Sequence, residues 1–149
     1  MFSDVTMKIR NVRLKTIEAR RYNEGEQKPR QIRIDHNSSM THMNYEKNNV
    51  ATIGFQYTAS YGPVGMIKFE GSLLYENDDA KKLTDQWNET RKISNEIASR
   101  IHTAVMHACV PEAVGIAKNL GLPPPIPLPQ VRLGPDAKKG QGHIGPEVA

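Results

Sequence analysis

The side chains of this 149-residue sequence that could exchange protons, attack a carbon or hold a metal are His36, His42, His102, His107 and Cys109. Their spacing makes no recognised site. His36 and His42 fall on one parity of an extended segment but lie six residues apart. His102 and His107 are five apart in a helical stretch, which misses the i, i+4 spacing that sets two imidazoles on one helix face around a metal. Cys109 follows His107 by two residues, an offset that points the two side chains apart on a helix, so a small buried thiol is expected rather than a nucleophile. Lys68 and Glu70 project from the opposite strand face to Phe69, as in any half-exposed hairpin. The glycines of YGPVG, residues 61–65, lack the Lys and Ser or Thr that complete a phosphate loop and predict a turn. The expectation is a protein without catalytic residues, metal or cofactor.

Charge offers the other route to function. The net charge of +4 is too small to indicate nucleic acid by itself, but Met1 to Ile34 holds nine basic residues against four acidic ones. Lys8, Arg10, Arg13, Lys15, Arg20, Arg21, Arg30 and Arg33, with Lys138 and Lys139 of the tail, are the candidate phosphate-neutralising set for an RNA. Tyr22 is the one aromatic nearby, so no stacking platform accompanies them. A single cysteine excludes an intrachain disulfide and fits a reducing compartment. Charges interrupt each apolar stretch of the N-terminus, unlike a signal peptide, and no run approaches the roughly 20 apolar residues of a membrane helix, so cytoplasmic residence is expected.

The elements that would position these groups follow an α+β order. Val5, Met7 and Ile9, then Val12 and Leu14, alternate with a slip of parity near Asn11 that predicts a β-bulge. The charged NEGEQKP connects to a second strand, in which Ile32, Ile34, His36, Ser38, Met40 and His42 share a parity. Ala51, Ile53, Phe55, Tyr57 and Ala59 alternate with Thr52, Gln56 and Thr58 in the clearest strand of the sequence. Ile67, Phe69, Leu73 and Tyr75 share the face of a fourth, joined to the third by SYGPVG. Gly71 inside that strand permits a bulge or the close approach of another backbone. Asn77, Asp78 and Asp79 offer N-cap oxygens to a short helix with Ala80, Leu83 and Trp87 on one face. Ser94 starts a longer helix with Ile97, Ile101, Ala104, Val105 and Ala108 as its stripe; at Pro111 it either kinks or restarts, and Gly121 ends it. LPPPIPLP, residues 122–129, must be extended and packs as a strap closing the core or is offered to an aromatic groove. The expected organisation is a domain over residues 1–133 and a tail over 134–149 with almost nothing to bury.

Two of these segments carry a family resemblance. YGPVGMIKFEGSLLY resembles the short hairpin, and IHTAVMHACVPEAVGIAKNLGLPPPIPLP the helix and proline-containing exit, of compact SecB-like proteins, a family of protein-export chaperones. The resemblance covers about Met7 to Leu133. It implies a four-stranded antiparallel sheet with helices on one side, a dimer or tetramer, no enzymatic activity and a groove for unfolded polypeptide lined by Phe55, Tyr57, Phe69, Tyr75 and Trp87. The same five residues are also the expected core of such a sheet. Two functional readings therefore stand: a non-enzymatic holdase for unfolded polypeptide, and a ribosome-associated structural protein of the same fold that binds rRNA through its basic N-terminal strands and tail. An antitoxin-like or toxin-antitoxin chaperone role is a third.

Overall fold

A computed structural model describes residues 7–22 and 32–126. The elements are β1 (Lys8–Arg21), β2 (Asp35–Lys47), β3 (Val50–Ser60), β4 (Gly65–Glu76), α1 (Ala80–Thr90) and α2 (Asn95–Leu120). The strands form one antiparallel sheet in the order β1-β4-β3-β2, so β1 and β2 are its edges. The result is an α+β fold with both helices on one face of the sheet, as the alternation in the strands and the later helical spacing require.

The inner face takes its residues from the apolar parity of β3 and β4: Ala51, Ile53, Phe55, Tyr57 and Ala59 face the helices with Ile67, Phe69, Leu73 and Tyr75, and each is at most 1% exposed. On α2, Ile101, Val105, Cys109, Ala113 and Ala117 are buried at strict four-residue intervals. Four residues overshoot a helical turn of 3.6, so this stripe winds slowly around the helix, as on a helix that crosses a sheet obliquely. Ser94 caps α2, its hydroxyl accepting from the Ile97 amide at 3.3 Å, and Gly121 ends it in a left-handed conformation at φ 69°. The helix runs unbroken through Pro111, whose ring removes one amide where the backbone meets solvent rather than starting a new helix.

Asp79 departs from its expected role. It makes no side-chain cap; its carboxylate accepts instead from the Tyr75 hydroxyl and the Asn77 amide, each at 2.8 Å, and so ties the end of β4 to the start of α1. The proline segment behaves as a strap over its described part. Pro125 is fully buried, and the Tyr61 hydroxyl donates to the Pro123 carbonyl at 2.7 Å. Residues 134–149 and the rest of the strap lie outside the described residues.

The bulge expected near Asn11 is present: Asn11 has φ 54°, and the β1–β4 register shifts between Arg10 and Arg13, then again between Leu14 and Thr16. Gly71 faces the first bulge, where a Cβ would collide with the Arg13 carbonyl and sit 2.9 Å from the Phe55 ring. Gly115, on the outside of α2, would meet nothing within 4 Å. Gly71→Ala should therefore cost about 1–3 kcal/mol by overpacking, whereas Gly115→Ala should gain about 0.5–1 kcal/mol from helix propensity. Urea unfolding followed by Trp87 fluorescence measures both; a neutral Gly71→Ala would show that β1 yields at the bulge.

Candidate functional site

A sheet edge exposes backbone donors and acceptors that can pair with another chain, and proteins usually guard it with charge, bulges or a covering element. The two edges here differ. β1 carries Lys8, Arg10, Arg13, Lys15 and Arg20, all exposed, besides its two register shifts. β2 has no Lys, Arg, Asp, Glu or Pro from His36 to Tyr45. Among the described residues, no hydrogen bond from outside the sheet reaches the backbone of β2 until Met43, whose carbonyl accepts from the Asn88 amide of α1 at 3.3 Å. The open edge thus runs from Asp35 to His42.

Its two histidines do not share a face. The β2–β3 register shifts between Met40 and His42, which pair with Phe55 and Gly54. This bulge turns His42 to the outer face, where its ring fills the space a side chain on Gly54 would need. The expectation of one shared parity fails because an extra residue at Thr41 inverts the alternation. His36 stays on the inner face, half-buried, with its Nδ1 2.6 Å from the Tyr57 hydroxyl. Tyr57 in turn stacks against Phe69 with ring centroids 6.1 Å apart. Burial lowers the His36 pKa from the ordinary 6.5, against an opposing pull from Asp35. Burial also raises Tyr57, and raises Tyr61 and Cys109 to about 12 each, so these three groups stay protonated at neutral pH.

The five residues expected to line a groove are brought together, but under cover. Phe55, Tyr57, Phe69 and Tyr75 are at most 1% exposed beneath α1 and α2, and Trp87, itself on α1, is 4% exposed. Apolar surface nearer solvent lies beside them: Ile34, just before β2, and Met40 and Tyr45 on its inner side are half-buried, and Ile17 and Ile126 are each about half exposed. The edge itself was missed in the sequence because strand order is not encoded locally. The signal present was the long uncharged run of β2.

The basic residues do not gather. Arg10 pairs with Glu76 at 3.1 Å, Arg20 lies 3.9 Å from Glu18, and Arg33 pairs with Asp35 at 3.0 Å on the opposite edge of the sheet from β1. Arg21 turns to the C-terminus of α2, donating to the Leu120 carbonyl at 3.2 Å. Arg30, Lys138 and Lys139 lie outside the described residues. Lys8, Arg13 and Lys15 form no ion pair among the described residues.

His102 and His107 are both exposed on α2, Cys109 is buried, and no group of three or more potential metal ligands exists among the described residues. A shallow open depression of about 380 Å³ between α1 and the start of α2 is lined by Asp79, Lys82, Leu83, Gln86, Ile93 and Ile97 among others. Its mixed charges and lack of a paired acid and base give it no evident chemistry. No helix among the described residues is long and apolar enough to cross a membrane.

Neither a protein-family model nor a curated protein matches the chain. Among solved structures it is similar to the SecB-like chaperone Rv1957 of Mycobacterium tuberculosis, in complex with a ChAD peptide from the antitoxin HigA1, Rv1956. The identity is 14%, the TM-score 0.51, and the match covers 85% of this chain and 88% of that one. The architecture is the SecB-like fold. At that identity the likeness establishes backbone arrangement and leaves function to the site itself.

A depressed histidine pKa has a thermodynamic consequence. As pH falls through 6.5 the unfolded chain takes up the proton before native His36 does, so stability should decline between 6.5 and the lower native value. Urea midpoints at pH 7.5 and 5 should fall more steeply in the wild type than in His36→Gln; equal slopes would show that the imidazole is not held neutral by the fold.

Proposed function

We propose that this protein is a non-enzymatic chaperone that holds extended, non-native polypeptide, with β2 as the edge on which a client strand adds. The observation that carries the reading is the edge from His36 to His42, which has no Lys, Arg, Asp or Glu and, among the described residues, is left open beside an apolar inner face. Strand addition would use main-chain hydrogen bonds, which are indifferent to client sequence. Ile34, Met40 and Tyr45 favour apolar client side chains at alternate positions on the inner side. Phe55, Tyr57, Phe69 and Tyr75 form the floor behind that edge, with Trp87 on the covering α1, and a shift of α1 or α2 would bring them into contact with a client. The SecB-like structural neighbour, which holds a peptide from an antitoxin, supports polypeptide as the class of ligand. An antitoxin segment is one client that fits this description.

The second reading, an rRNA-binding subunit of a ribosome, rests on Lys8, Arg13 and Lys15 of β1, which have no ion-pair partner among the described residues. Salt separates the two. Phosphate neutralisation by three cations weakens roughly tenfold or more between 50 and 200 mM salt, whereas strand addition and apolar contact do not weaken in this way.

The test is light scattering of a chemically unfolded model client diluted into buffer. Equimolar protein should suppress aggregation at both salt concentrations, and the double variant Asn37→Lys, Ser39→Lys, which places guarding charges on the β2 edge, should lose at least about half of that suppression. Client aggregation that proceeds unchanged in the presence of the wild type would sink the reading.

A further inference from the structure

The β2 edge contains an unusual pair of groups. From His36 to Asn44 the titratable side chains are the two histidines, and the bulge at Thr41 sets one on each face of the sheet. We infer that client docking is gated by pH: protonation of His36 and His42 converts an uncharged edge into one guarded by two cations, one per face. The inference rests on the reading of β2 as the docking edge and concerns the regulation of that same site.

The surroundings leave this charge largely uncompensated. His36 is faced by the hydroxyl of Tyr57 from β3 and by Asp35 beside it on β2, whose carboxylate is already engaged by Arg33 at 3.0 Å. Beyond Tyr57 lie Tyr61 and Cys109 of α2, which burial keeps protonated across the relevant range. His42 is faced by the Thr41 hydroxyl at 3.4 Å and by Gly54. The carboxylates of that face include Glu46, which accepts from the Thr52 hydroxyl at 2.8 Å, and Glu70, set opposite Gln56 on β4; Glu76 and Glu18 of the same face are engaged by Arg10 at 3.1 Å and Lys68 at 3.9 Å. From the inner side α1 brings Lys81, which lies 3.5 Å from Asp85 and over the Tyr45 ring. His42 forms no ion pair among the described residues.

A strand added along Asp35 to His42 removes water from both imidazoles. Neutral rings tolerate that loss, but imidazolium ions resist it, as lysines on edge strands do. Docking therefore competes with protonation, and each proton that must be released weakens binding by up to tenfold per pH unit below the pKa of its group. The bulge matters because two charges on one face could be avoided by a client leaning to the other, whereas charges on both faces cannot.

The experiment uses the full chain and a peptide of alternating leucine and glutamine, acetylated and amidated at its ends and labelled with rhodamine, so that no probe group titrates. Anisotropy gives Kd at pH 7.5 and at pH 5.5, or at the lowest pH above that value where Trp87 emission remains native. Binding by the wild type should weaken about fivefold or more at the lower pH. The double variant His36→Gln, His42→Gln should change less than about twofold, and His42→Lys, a permanent cation on the edge, should bind weakly at both values. Equal affinity of the wild type at the two pH values, or unchanged pH dependence in the double variant, would overturn the gating. Failure of the wild type to bind at pH 7.5 would instead remove the docking edge itself, and the gating with it.

Discussion

The structure depends on one contact, the packing of α2 across the inner face of a sheet with one apolar side. β3 and β4 present large side chains, Phe55, Tyr57, Phe69 and Tyr75, and α2 answers with residues that shrink along its length, from Ile101 and Val105 to Cys109, Ala113 and Ala117. Small residues let a helix approach bulky aromatics without overpacking, so the taper suits a helix over a tyrosine- and phenylalanine-rich surface. Without that cover the inner face would be a broad exposed apolar patch. The other devices secure the arrangement: Arg21 binds the Leu120 carbonyl at the end of α2, the Tyr61 hydroxyl holds the strap, and Asp79 joins β4 to α1.

Covering the face leaves the two edges to be managed, and they are managed differently. β1 has the devices that prevent pairing: five exposed cations, two bulges and a partner strand with Gly71 at the point of closest approach. β2 also has two register shifts, but no charged side chain from His36 to Tyr45, and α1 reaches its backbone only at Met43. An unguarded edge is an aggregation hazard in a protein that does not use it. In a protein that binds extended chains such an edge can serve as the working surface. The same reasoning gives the basic character of β1 a structural role, edge protection, that requires no nucleic acid.

Much of the architecture could be read along the chain. The alternation in β3, the parity slip at Asn11, the backbone approach at Gly71, the caps at Ser94 and Gly121 and the packed start of the proline strap are all local patterns, and the structure shows each of them. Two readings failed for an identifiable reason. The bulge at Thr41 inverted the face of His42; the slip of parity from Met40 to Met43 and Tyr45 marked it in the sequence, but more weakly than the slip at Asn11 because polar residues separate these apolar ones from Ile34. Asp79 bonds to Tyr75 and Asn77, four and two residues before it, in place of the helix amides, because side-chain partners this near in sequence compete with a cap.

By itself, then, the sequence determined the elements, the apolar faces and the residues of the core, because periods of 2 and 3.6 residues follow from backbone geometry alone. It also determined that β2 carries no fixed charge from His36 to Tyr45. Tertiary structure decided which strands became edges, that the expected aromatic residues lie covered behind β2 rather than open to solvent, and that two histidines of one strand face opposite ways. Those features depend on pairing between residues far apart in the chain, where side-chain volume, a glycine on the neighbouring strand and the path of a helix set register. No local period records them.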